Sequence, residues 1–572
     1  MKTYLCILAS LVLLNSASLK ATEPNKQSIK TNQLGFLPND QKIAVVPFVK
    51  ATHFTLIDST SNKQVYKGKL SAAQLWPFAN ETVKRADFSH FTQQGNYILH
   101  VDGLANSHGI SIANHVYANT LKKAIKAYYL IRSGIEIDKK YAGKYARPAA
   151  HLDNVVYVHS SAADSKRPEN TILSSPKGWY DAGDYNKYIV NSNITVYTLL
   201  AAFEENQNLQ QLSLNIPEST NELPDVLDEI LWNIDWMLTM QDPNDGGVYH
   251  KLTTKKFTAF GRKPESITDK RYVVAKSIDA TIGFAAVMAQ ASRLLKPYKK
   301  QLPGYSKKLL NAAEKAWAWS EQNPDKRYYQ PKDIKTGTYV QHSDSTADEW
   351  DWAAAELFAT TNNKKYLRAL KFTAPLTAPN WHMTQSLALF TLAKSENTPA
   401  KLRKKALTQL QNFANKWLKI EKNSAYQLAI SKADFVWGSN AVLMNNAIVL
   451  LRLNKLSANK KYVNTAHSLF DYVVGRNPLG YSYITGIGYN AVNNIHHRLS
   501  VVDNIKAAYP GLLSGGPQSG QQDAGDCEKE DVSYQSKLPA LSYIDKTCSF
   551  ASNEIAINWN APLVYVLAAL QE

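Results

Sequence analysis

The sequence is organised around one stretch, Gly178-Trp179-Tyr180-Asp181-Ala182-Gly183-Asp184-Tyr185-Asn186-Lys187-Tyr188. It places two carboxylates, Asp181 and Asp184, on either side of a glycine. Glycine adopts backbone angles that other residues avoid, so both acids can point into one cleft. The flanking Trp and Tyr rings offer flat apolar surfaces of the kind that pack against a sugar ring. The stretch is therefore typical of a site that cleaves a sugar chain.

The same four letters, Asp-Ala-Gly-Asp, also have a plain structural interpretation. Such a tetrad can form an Asx-type turn that only ends a helix or a strand. The tetrad occurs a second time, at Asp523 to Asp526, within a run rich in Ser, Gly and Gln and without a flanking Trp. We expect this second copy to lie in a solvent-exposed loop.

Two later stretches are as unusual as the first. One begins at Gly475-Arg476-Asn477-Pro478 and continues through Thr485-Gly486-Ile487-Gly488 to His496-His497-Arg498. The other is Ser552-Asn553-Glu554-Ile555-Ala556-Ile557-Asn558-Trp559-Asn560-Ala561-Pro562. Together the three stretches resemble the signatures of family 9 of the glycoside hydrolases, most of which are cellulases, in that family's order and spacing. The resemblance implies a catalytic domain that hydrolyses a β-glycosidic bond.

Length and composition indicate a globular protein of more than one domain. The chain has 572 residues, of which 44% are hydrophobic and 20% charged, enough for a large core. Lys and Arg outnumber Asp and Glu by 65 to 48, a formal net charge of +17. The basic residues are scattered and form no zinc-finger or basic-helix pattern. We therefore expect a solvated basic surface and no nucleic-acid partner.

Residues 1–21 have the layout of a secretory signal peptide. Lys2 precedes an apolar run from Tyr4 to Leu14, and small residues follow. This run is too short to span a bilayer, and no later run of roughly eighteen apolar residues occurs. We expect a secreted or periplasmic protein without a membrane partner. Cys527 and Cys548 then stay in the mature chain, where an oxidising compartment permits a disulfide between them.

Residues 27–113 are predicted to form a small β-sandwich. Apolar residues run or alternate at 42–46, 54–56 and 97–101, between turn residues such as Ser61-Asn62 and Gly95-Asn96. The resemblance implies the same, because many members of the family carry an immunoglobulin-like module ahead of the catalytic domain. We expect this module to pack against the catalytic domain, and sugar binding is the alternative.

Residues 114–572 show the apolar period of helices. Leu309, Ala312, Ala313, Ala316 and Trp317 repeat at i, i+3, i+4, i+7 and i+8. Comparable patterns give eleven or twelve helices without a repeated sequence, so a solenoid is not indicated. The resemblance implies an (α/α)6 barrel, and an ordinary helical bundle is the alternative. The helices are predicted at 115–131, 190–206, 224–240, 276–295, 346–360, 384–394, 402–418, 440–454, 462–474 and 555–570, besides the one at 309–317.

Hydrolysis of a glycosidic bond needs two carboxyl groups with different tasks. An acid protonates the leaving oxygen and a base activates water, and in an inverting enzyme the two stand roughly 6.5–9.5 Å apart. Glu554 has apolar neighbours such as Phe550 and Ile555, which favour the protonated form by raising the pKa of its carboxyl. Asp181 and Asp184 lie beside Tyr and Asn groups that can bond an ionised form. The resemblance implies that Asp184 is the base, that Asp181 helps to hold the water and that Glu554 is the proton donor.

His496 and Arg498 form a His-x-Arg unit. The resemblance implies that both side chains contact the sugar next to the cleaved bond and donate hydrogen bonds to its hydroxyls, which makes His496 a fourth catalytic residue. A lone His-His-Arg is otherwise more often a metal-binding or surface feature.

Three aromatic residues complete the predicted cleft. Trp437 and Trp559 match ring positions of the family, and Tyr185 follows the base directly. Core packing is the alternative for the two Trp residues.

One stretch suggests a structural metal, although the chemistry itself needs no cofactor. Asp344-Ser345-Thr346-Ala347-Asp348-Glu349 resembles a calcium loop of the family, with Asp344, Asp348 and Glu349 as candidate ligands. A capped helix start explains the same letters. Relatives with the N-terminal module often bind zinc through Arg-Cys-Gly and a later Cys-His. Here these positions read Arg132-Ser133-Gly134 and Ala150-His151, so both thiolates are replaced and we expect no such zinc site.

The sequence thus predicts a secreted, inverting endo-β-1,4-glucanase that acts on a β-1,4-glucan, assumed to be a monomer. Within enzymes, the alternative is an exo-β-glucosaminidase on chitosan oligomers, a cationic substrate that fits poorly with a protein of charge +17. Outside enzymes, the alternative is a non-catalytic carbohydrate-binding protein, against which the intact acidic residues count.

Overall fold

A computed structural model describes residues 28–343 and 345–572. The predicted signal peptide and the candidate calcium ligand Asp344 lie outside the described residues. The chain forms two parts, a β-sandwich whose last strand ends at Ile112 and a helical domain whose first helix begins at Ala118. None of the helices in the described residues is both long and apolar enough to cross a membrane.

The N-terminal part is a sandwich of two antiparallel sheets, with strand orders β1-β5-β4 and β3-β2-β6-β7. Alternate side chains point inward, so Ala44 and Val46 of one sheet share a core with Phe54 and Leu56 of the other. The strands are β1 (Ile43–Pro47), β2 (His53–Asp58), β3 (Gln64–Lys69), β4 (Gln74–Trp76), β5 (Glu81–Asp87), β6 (Gly95–His100) and β7 (Ile110–Ile112).

The strands predicted at 42–46, 54–56 and 97–101 correspond to β1, β2 and β6. The predicted turn at Gly95-Asn96 is wrong, because both residues begin β6 and pair with Ile112 and Ser111 of β7. Pairing with β7 extends β6 to Gly95, two residues before the apolar alternation begins at Tyr97. The residues at 95 and 96 are not apolar, so the sequence pattern did not predict them as part of a strand.

The sandwich packs directly against the helical domain, as expected. Asn32 donates a hydrogen bond of 2.8 Å to Asp471, and the rings of Trp76 and Tyr426 lie 4.2 Å apart. Arg85 donates to the carbonyl oxygen of Ala425 at 3.1 Å. Polar and aromatic contacts thus join the two parts over several elements.

The helical domain is an (α/α)6 barrel in which outer and inner helices alternate along the chain. The inner helices α3, α5, α7 and α9 pack successively, and α16 closes the ring against α3 and α11. The outer helices are α1 (Ala118–Leu130), α4 (Asp225–Thr239), α6 (Tyr305–Gln322), α8 (Lys364–Ala369), α10 (Ala400–Asn423) and α12 (Lys460–Val473), and the inner ones are α3 (Ile189–Glu205), α5 (Ile278–Leu295), α7 (Ala347–Thr361), α9 (Gln385–Lys394), α11 (Ser439–Ser457) and α16 (Ile557–Leu570).

Burial explains the two rings. Inner helix α3 is buried on all sides from Ile189 to Phe203, whereas outer helix α10 buries only the stripe Ala406, Leu410, Ala414 and Trp417. Every predicted helix corresponds to one in the structure. The sequence patterns did not predict α8, because its six residues are too few to show a helical period.

Within the described residues, the long connections carry a third, small sheet and four short helices: β8 (Val156–Val158), β9 (Ile172–Leu173), β10 (Lys187–Tyr188), β11 (Lys251–Thr253), β12 (Tyr272–Val273), α2 (Lys139–Ala142), α13 (Arg498–Val502), α14 (Ala524–Glu528) and α15 (Phe550–Asn553). The sheet order is β10-β11-β12-β8-β9. Strand β10 continues directly into α3, so the first signature stretch lies where the sheet meets the barrel.

Candidate active site

Residues of the three signature stretches meet at one end of the barrel. The backbone N–H of Gly183 donates a hydrogen bond of 3.2 Å to Oε1 of Glu554. The segments of His496 and Glu554 pair as a parallel bridge, and the N–H of Ile557 donates to the carbonyl oxygen of Asp181 at 2.9 Å. The stretches that the sequence singled out are therefore neighbours at the start of α3 and α16.

Gly183 is required by close approach and not by its backbone angles. A Cβ at this position would lie 2.3 Å from the carbonyl oxygen of His496 and 3.0 Å from Oε1 of Glu554. Its φ is not among the positive values that favour glycine. We expected the glycine because of its unusual backbone angles, and this reason is wrong. The glycine is needed because the segments of His496 and Glu554 come too close to residue 183 for any side chain.

Asp184 has one fixed and one free carboxylate oxygen. Its Oδ2 accepts hydrogen bonds from Nδ2 of Asn186 at 2.6 Å and from the hydroxyl of Tyr188 at 3.0 Å. Its Oδ1 makes no hydrogen bond within the described residues, although the side chain is almost fully buried. The Tyr and Asn partners expected from the sequence therefore orient the group and leave Oδ1 able to accept a proton.

Asp181 has both oxygens occupied. Its Oδ1 accepts from Nδ2 of Asn191 and its Oδ2 from the hydroxyl of Tyr339, each at 2.6 Å. Burial and the negative charge of Asp184 raise the pKa of Asp181 to about 8, against the two donors, which lower it. Two close carboxylates resist ionising together. Asp181 is thus the more firmly fixed of the pair, and both of its oxygens are already engaged by side-chain donors.

Glu554 lies at the end of the one-turn helix α15. Burial, and next the charge of Asp184, raise the pKa of this carboxyl well above its usual value. Ile555 and Ile557 beside it are buried. Both effects favour the protonated form of the carboxyl, which is what a proton donor needs.

His496 lies beside this acid as a neutral ring. Burial lowers the pKa of His496 to about 4. Its Nδ1 lies 2.6 Å from the carbonyl oxygen of Thr547. A carbonyl only accepts, so the hydrogen-bond network assigns the proton to Nδ1 and leaves Nε2 as an acceptor. The expectation that His496 donates to a sugar hydroxyl is corrected, because Nε2 can only accept.

Arg498 fixes the backbone around the acids. Its Nη1 donates to the carbonyl oxygen of Gly183 at 2.7 Å and its Nε to that of Thr258 at 2.6 Å. The guanidinium also lies over the rings of Phe260 and Phe257, at 4.3 and 5.7 Å from their centroids. Two of its three nitrogens thus donate to backbone carbonyls, and within the described part of the chain Nη2 is the one left for a sugar hydroxyl.

The predicted aromatic residues differ in position. Trp437 is 43% exposed, and its ring lies 5.3 Å from that of Phe550, next to the acid, where a sugar can reach it. Trp559 is half-buried and packs against Gly438 and Gly515, so part of it belongs to the core.

Tyr185 does not lie on the cleft surface. It is 2% exposed, its hydroxyl donates to the carbonyl oxygen of Arg262 at 3.1 Å, and its ring packs against those of Tyr180 and His151. The prediction that Tyr185 binds substrate is therefore corrected, because its side chain is buried against these two rings instead of being exposed in the cleft.

Three contributors were not predicted. Tyr339, which bonds Asp181, comes from the connection before α7, and Phe260 lies 4.6 Å from His496. Thr547 supplies the carbonyl that sets the tautomer of His496. None of these positions has a local signal. Phe260 and Thr547 do lie in long connections between helices, where functional residues are often found.

The candidate calcium residues have the chemistry of a cation site. Asp348 accepts hydrogen bonds from the backbone N–H of Thr384 at 2.6 Å and from its hydroxyl at 3.3 Å. Oε2 of Glu349 is buried and has no hydrogen-bond partner within the described residues, and burial and the neighbouring Asp348 raise the pKa of Glu349 well above its usual value. Two adjacent buried carboxyls with an orphaned oxygen fit a cation or a shared proton. Both also lie in the first turn of α7, as the helix-start alternative requires.

A different acidic cluster already holds a cation. Among the described residues, Asp164, Asp242 and Asp245 come close enough together to bind a metal. The ammonium of Lys276 lies among them, 3.0, 2.8 and 2.8 Å from their oxygens. This lysine satisfies the cluster, so we assign no metal to it.

The positions compared with a zinc site hold a hydrogen-bonded group instead. Ser133 donates to the carbonyl oxygen of His151 at 3.2 Å, and Nδ1 of His151 lies 2.7 Å from the hydroxyl of Tyr180. Burial and the nearby cations Arg271 and Lys187 lower the pKa of His151. The donor set lacks thiolates and does not fit a tetrahedral zinc site.

The second tetrad and the two cysteines lie beside the acid. Cys527 and Cys548 form a disulfide with Cα atoms 5.0 Å apart. Asp523 is fully buried, so the predicted solvent-exposed loop is wrong at this residue. Asp526 is exposed and paired with Lys529 at 2.7 Å, as expected for solvent. The polar composition of this run correctly predicted that Asp526 is exposed, but it did not predict that Asp523 is buried.

Comparisons with known proteins agree with this geometry. The family model for glycosyl hydrolase family 9 matches residues 117–567, and that for the cellulase N-terminal ig-like domain matches residues 25–106. A xyloglucan-specific endo-β-1,4-glucanase of Bacteroides ovatus is 41% identical over 566 residues, covering 96% of this chain and 94% of that protein. Endoglucanase D of Acetivibrio thermocellus is 35% identical over 555 residues, with 94% and 83% covered. A solved Bacteroides ovatus GH9 structure has a TM-score of 0.88 at 39% identity, covering 96% and 99% of the two chains.

Proposed function

The chain belongs to glycosyl hydrolase family 9, and from this premise we propose that it is a secreted endo-β-1,4-glucanase that inverts the configuration of the cleaved bond. Membership confirms the family predicted from the three signature stretches, and the related endoglucanases establish a hydrolase of β-1,4-glucans. The alternative of a non-catalytic sugar-binding protein is thereby set aside. Secretion, inversion and endo action are the proposed parts.

The observation that carries the proposal is the unequal pair of aspartates. Asp184 has a free Oδ1, whereas both oxygens of Asp181 accept hydrogen bonds from side chains. A general base needs an oxygen that can take a proton from water. Asp184 is therefore the base. Asp181, fixed by Asn191 and Tyr339, is suited to orient the water without taking its proton.

Glu554 supplies the proton in the same step. Burial raises its pKa and so favours the protonated carboxyl, and the N–H of Gly183 holds Oε1, so the acid and the turn that carries the base have a fixed relation. As the glycosidic bond breaks, the acid protonates the leaving oxygen while the base takes a proton from water on the other face of the sugar. This single displacement gives a product of inverted configuration.

The surroundings of the acids support binding of a long glucan chain. His496 can accept a hydrogen bond from a sugar hydroxyl at Nε2, and Arg498 can donate one from Nη2. Trp437 and Phe257 are exposed aromatic rings on separate segments, one against Phe550 and the other against Arg498. Rings on more than one segment suit a chain that passes through the site, as endo cleavage requires.

Two further proposals concern location and metal. A disulfide between Cys527 and Cys548 and a signal-like segment at residues 1–21 support export into an oxidising compartment. Asp348 and Glu349 are proposed to hold a structural calcium ion that takes no part in the chemistry.

The related Bacteroides ovatus protein, described as specific for xyloglucan, suggests xyloglucan as a substrate to compare with unbranched glucans. The purified protein is incubated with xyloglucan, carboxymethylcellulose, mixed-linkage glucan and chitosan oligomers, and the products are resolved by length. We expect a rapid fall in chain length of a β-1,4-glucan. Release of terminal glucosamine from chitosan alone would favour the exo-β-glucosaminidase instead.

Two variants test the roles. Glu554→Gln keeps the shape and removes the proton, and we expect roughly a 10²- to 10⁴-fold loss that shrinks for activated aryl glycosides. Asp184→Asn should be as damaging on every substrate, because water still needs its base. An Asp184→Asn protein with wild-type activity would contradict the assignment of the base.

A further inference from the structure

The second Asp-Ala-Gly-Asp tetrad begins with a carboxylate directed at the segment of the catalytic acid. Asp523 is fully buried. It precedes the short helix α14, yet its side chain makes no capping hydrogen bond to that helix. Its carboxylate points instead to residues 549–551, just before Glu554.

Three donors converge on this carboxylate. Its Oδ1 accepts from the hydroxyl of Tyr534 at 2.6 Å, and its Oδ2 accepts from the hydroxyl of Ser549 and the N–H of Ala551, each at 2.7 Å. Asp523, Ser549 and Ala551 are fully buried and Tyr534 is half-buried. A buried donor without an acceptor is destabilising. The carboxylate therefore determines where the Ser549–Ala551 backbone lies.

The backbone that Asp523 holds leads directly to the acid. Helix α15 is a single turn, and Glu554 is the residue at which it ends. The N–H of Ala551 is one of the donors that a helix leaves unpaired at its start, and Asp523 satisfies it. Because one turn separates Ala551 from Glu554, a displacement of the turn moves the acid.

The covalent structure joins the same two segments. The disulfide runs from Cys527, one helical turn after Asp523, to Cys548, which precedes Ser549. At the other end of the turn, Asn553 donates to the carbonyl oxygen of Asn494 at 2.8 Å, next to the segment of His496. The turn is thus fixed at both ends, and Asp523 supplies the polar contacts at its start.

We propose that Asp523 is a positioning residue for Glu554, which fixes the turn at 550–553 and thereby the direction from which the acid delivers its proton. The inference rests on the proposed role of Glu554 as proton donor. It gives no role to Asp526, which is exposed and paired with Lys529.

The test compares the full-length wild type with Asp523→Asn, Asp526→Asn and Glu554→Gln. The substrates are cellohexaose, whose leaving sugar needs a proton, and dinitrophenyl β-cellotrioside, whose phenol leaves without one. Asn keeps the volume of Asp but presents an NH₂ group in place of one oxygen, so at least one donor loses its acceptor. We expect Asp523→Asn to lower kcat on cellohexaose by about 10- to 100-fold, the scale of a small misplacement of a reacting group. The loss on the aryl glycoside should be far smaller, and Asp526→Asn should match the wild type on both.

Comparing the rate losses on the two substrates distinguishes a misplaced Glu554 from general damage to the active site. A displaced acid impairs only the reaction that needs its proton, whereas a damaged site impairs both. Equal losses on both substrates, or no loss on either, would overturn the proposal. Tyr534→Phe removes the donor to Oδ1, together with longer contacts of the same hydroxyl to Ser549 and Ser552. It should show the same preference more weakly, which keeps the test decisive should Asp523→Asn fold poorly. Glu554→Gln with a wild-type rate on cellohexaose would instead refute the proposed function itself.

Discussion

The backbone N–H of Gly183 donates a hydrogen bond to the side chain of Glu554, 371 residues later in the chain. Through this bond the turn that carries Asp184 and the turn that carries the acid form one unit. A Cβ at Gly183 would lie 2.3 Å from the carbonyl oxygen of His496, so nothing larger than glycine fits. The close approach of base and acid therefore requires a glycine at this position.

Gly183→Ala should lower kcat on cello-oligosaccharides by about 100-fold, because the two turns must separate and the carboxyls shift. The matched control is Gly525→Ala, the same position of the second tetrad, where a Cβ meets nothing within 4 Å. Rates of both variants are compared at equal folded fraction from thermal melting. Wild-type activity in Gly183→Ala would show that the close contact does not fix the site.

The alkaline limit of activity should move when Asp181 loses its charge. Burial raises the pKa of Glu554, and the negative charges of Asp184 and, to a smaller extent, Asp181 raise it further. Asp181→Asn removes one of these charges, so the pKa of Glu554 falls and the acid loses its proton at lower pH. We expect the alkaline limb of kcat/KM to move to lower pH in Asp181→Asn and to stay in place in Asp526→Asn. A shift to higher pH would contradict the coupling between the two carboxyls.

The disulfide should stabilise the loop that precedes the acid. The two cysteines are 21 residues apart in the sequence. In the chain-entropy model, closing a loop of this length contributes about 3 kcal/mol to the free energy of unfolding. The double variant Cys527→Ser, Cys548→Ser should melt at lower temperature and lose activity on cellohexaose before it unfolds, because Thr547 and Ser549 lie in the tethered segment. Thiol counting under denaturing conditions checks the bond, and two free thiols in protein from an oxidising compartment would contradict it.

Metal analysis should distinguish calcium from zinc. We expect no stoichiometric zinc, because Ser133, His151 and Tyr180 form a hydrogen-bonded group without thiolates. Calcium should raise the melting temperature, since an ion that binds only the folded state stabilises it. The double variant Asp348→Asn, Glu349→Gln should lose this response. One zinc per chain would refute the first expectation, and melting that ignores calcium and chelator would favour the helix-start interpretation of 344–349.

Local pattern was sufficient to predict the individual helices and to single out the acidic residues, whereas the (α/α)6 arrangement and the separate roles of the acids came from the resemblance to the family. The helices of the barrel have apolar periods long enough to recognise, and Asp181, Asp184 and Glu554 lie in stretches whose residue types already suggest their chemistry. The strand pairing at Gly95 and the six-residue helix α8 have no such period, so the sequence did not predict them.

Contacts between distant segments explain what the sequence could not predict. Tyr339 bonds Asp181 across 158 residues, and the carbonyl of Thr547 that sets the tautomer of His496 lies 51 residues away. Asp523 was expected in solvent because its neighbours in sequence are polar, yet its partner Ser549 is 26 residues further along. Composition describes a residue's neighbours along the chain, and these roles depend on neighbours in space.

The central claim is that Asp184 activates water while Glu554 protonates the leaving oxygen, in one displacement. Proton NMR of the first products from cellohexaose, recorded before the anomers equilibrate, tests it most directly. Inversion at a β-1,4 bond predicts that the new reducing end appears first as the α-anomer, with the β-anomer growing in only by mutarotation. A β-anomer as the first product would mean a covalent intermediate on a carboxylate, and would contradict the assignment of Asp184 as the base.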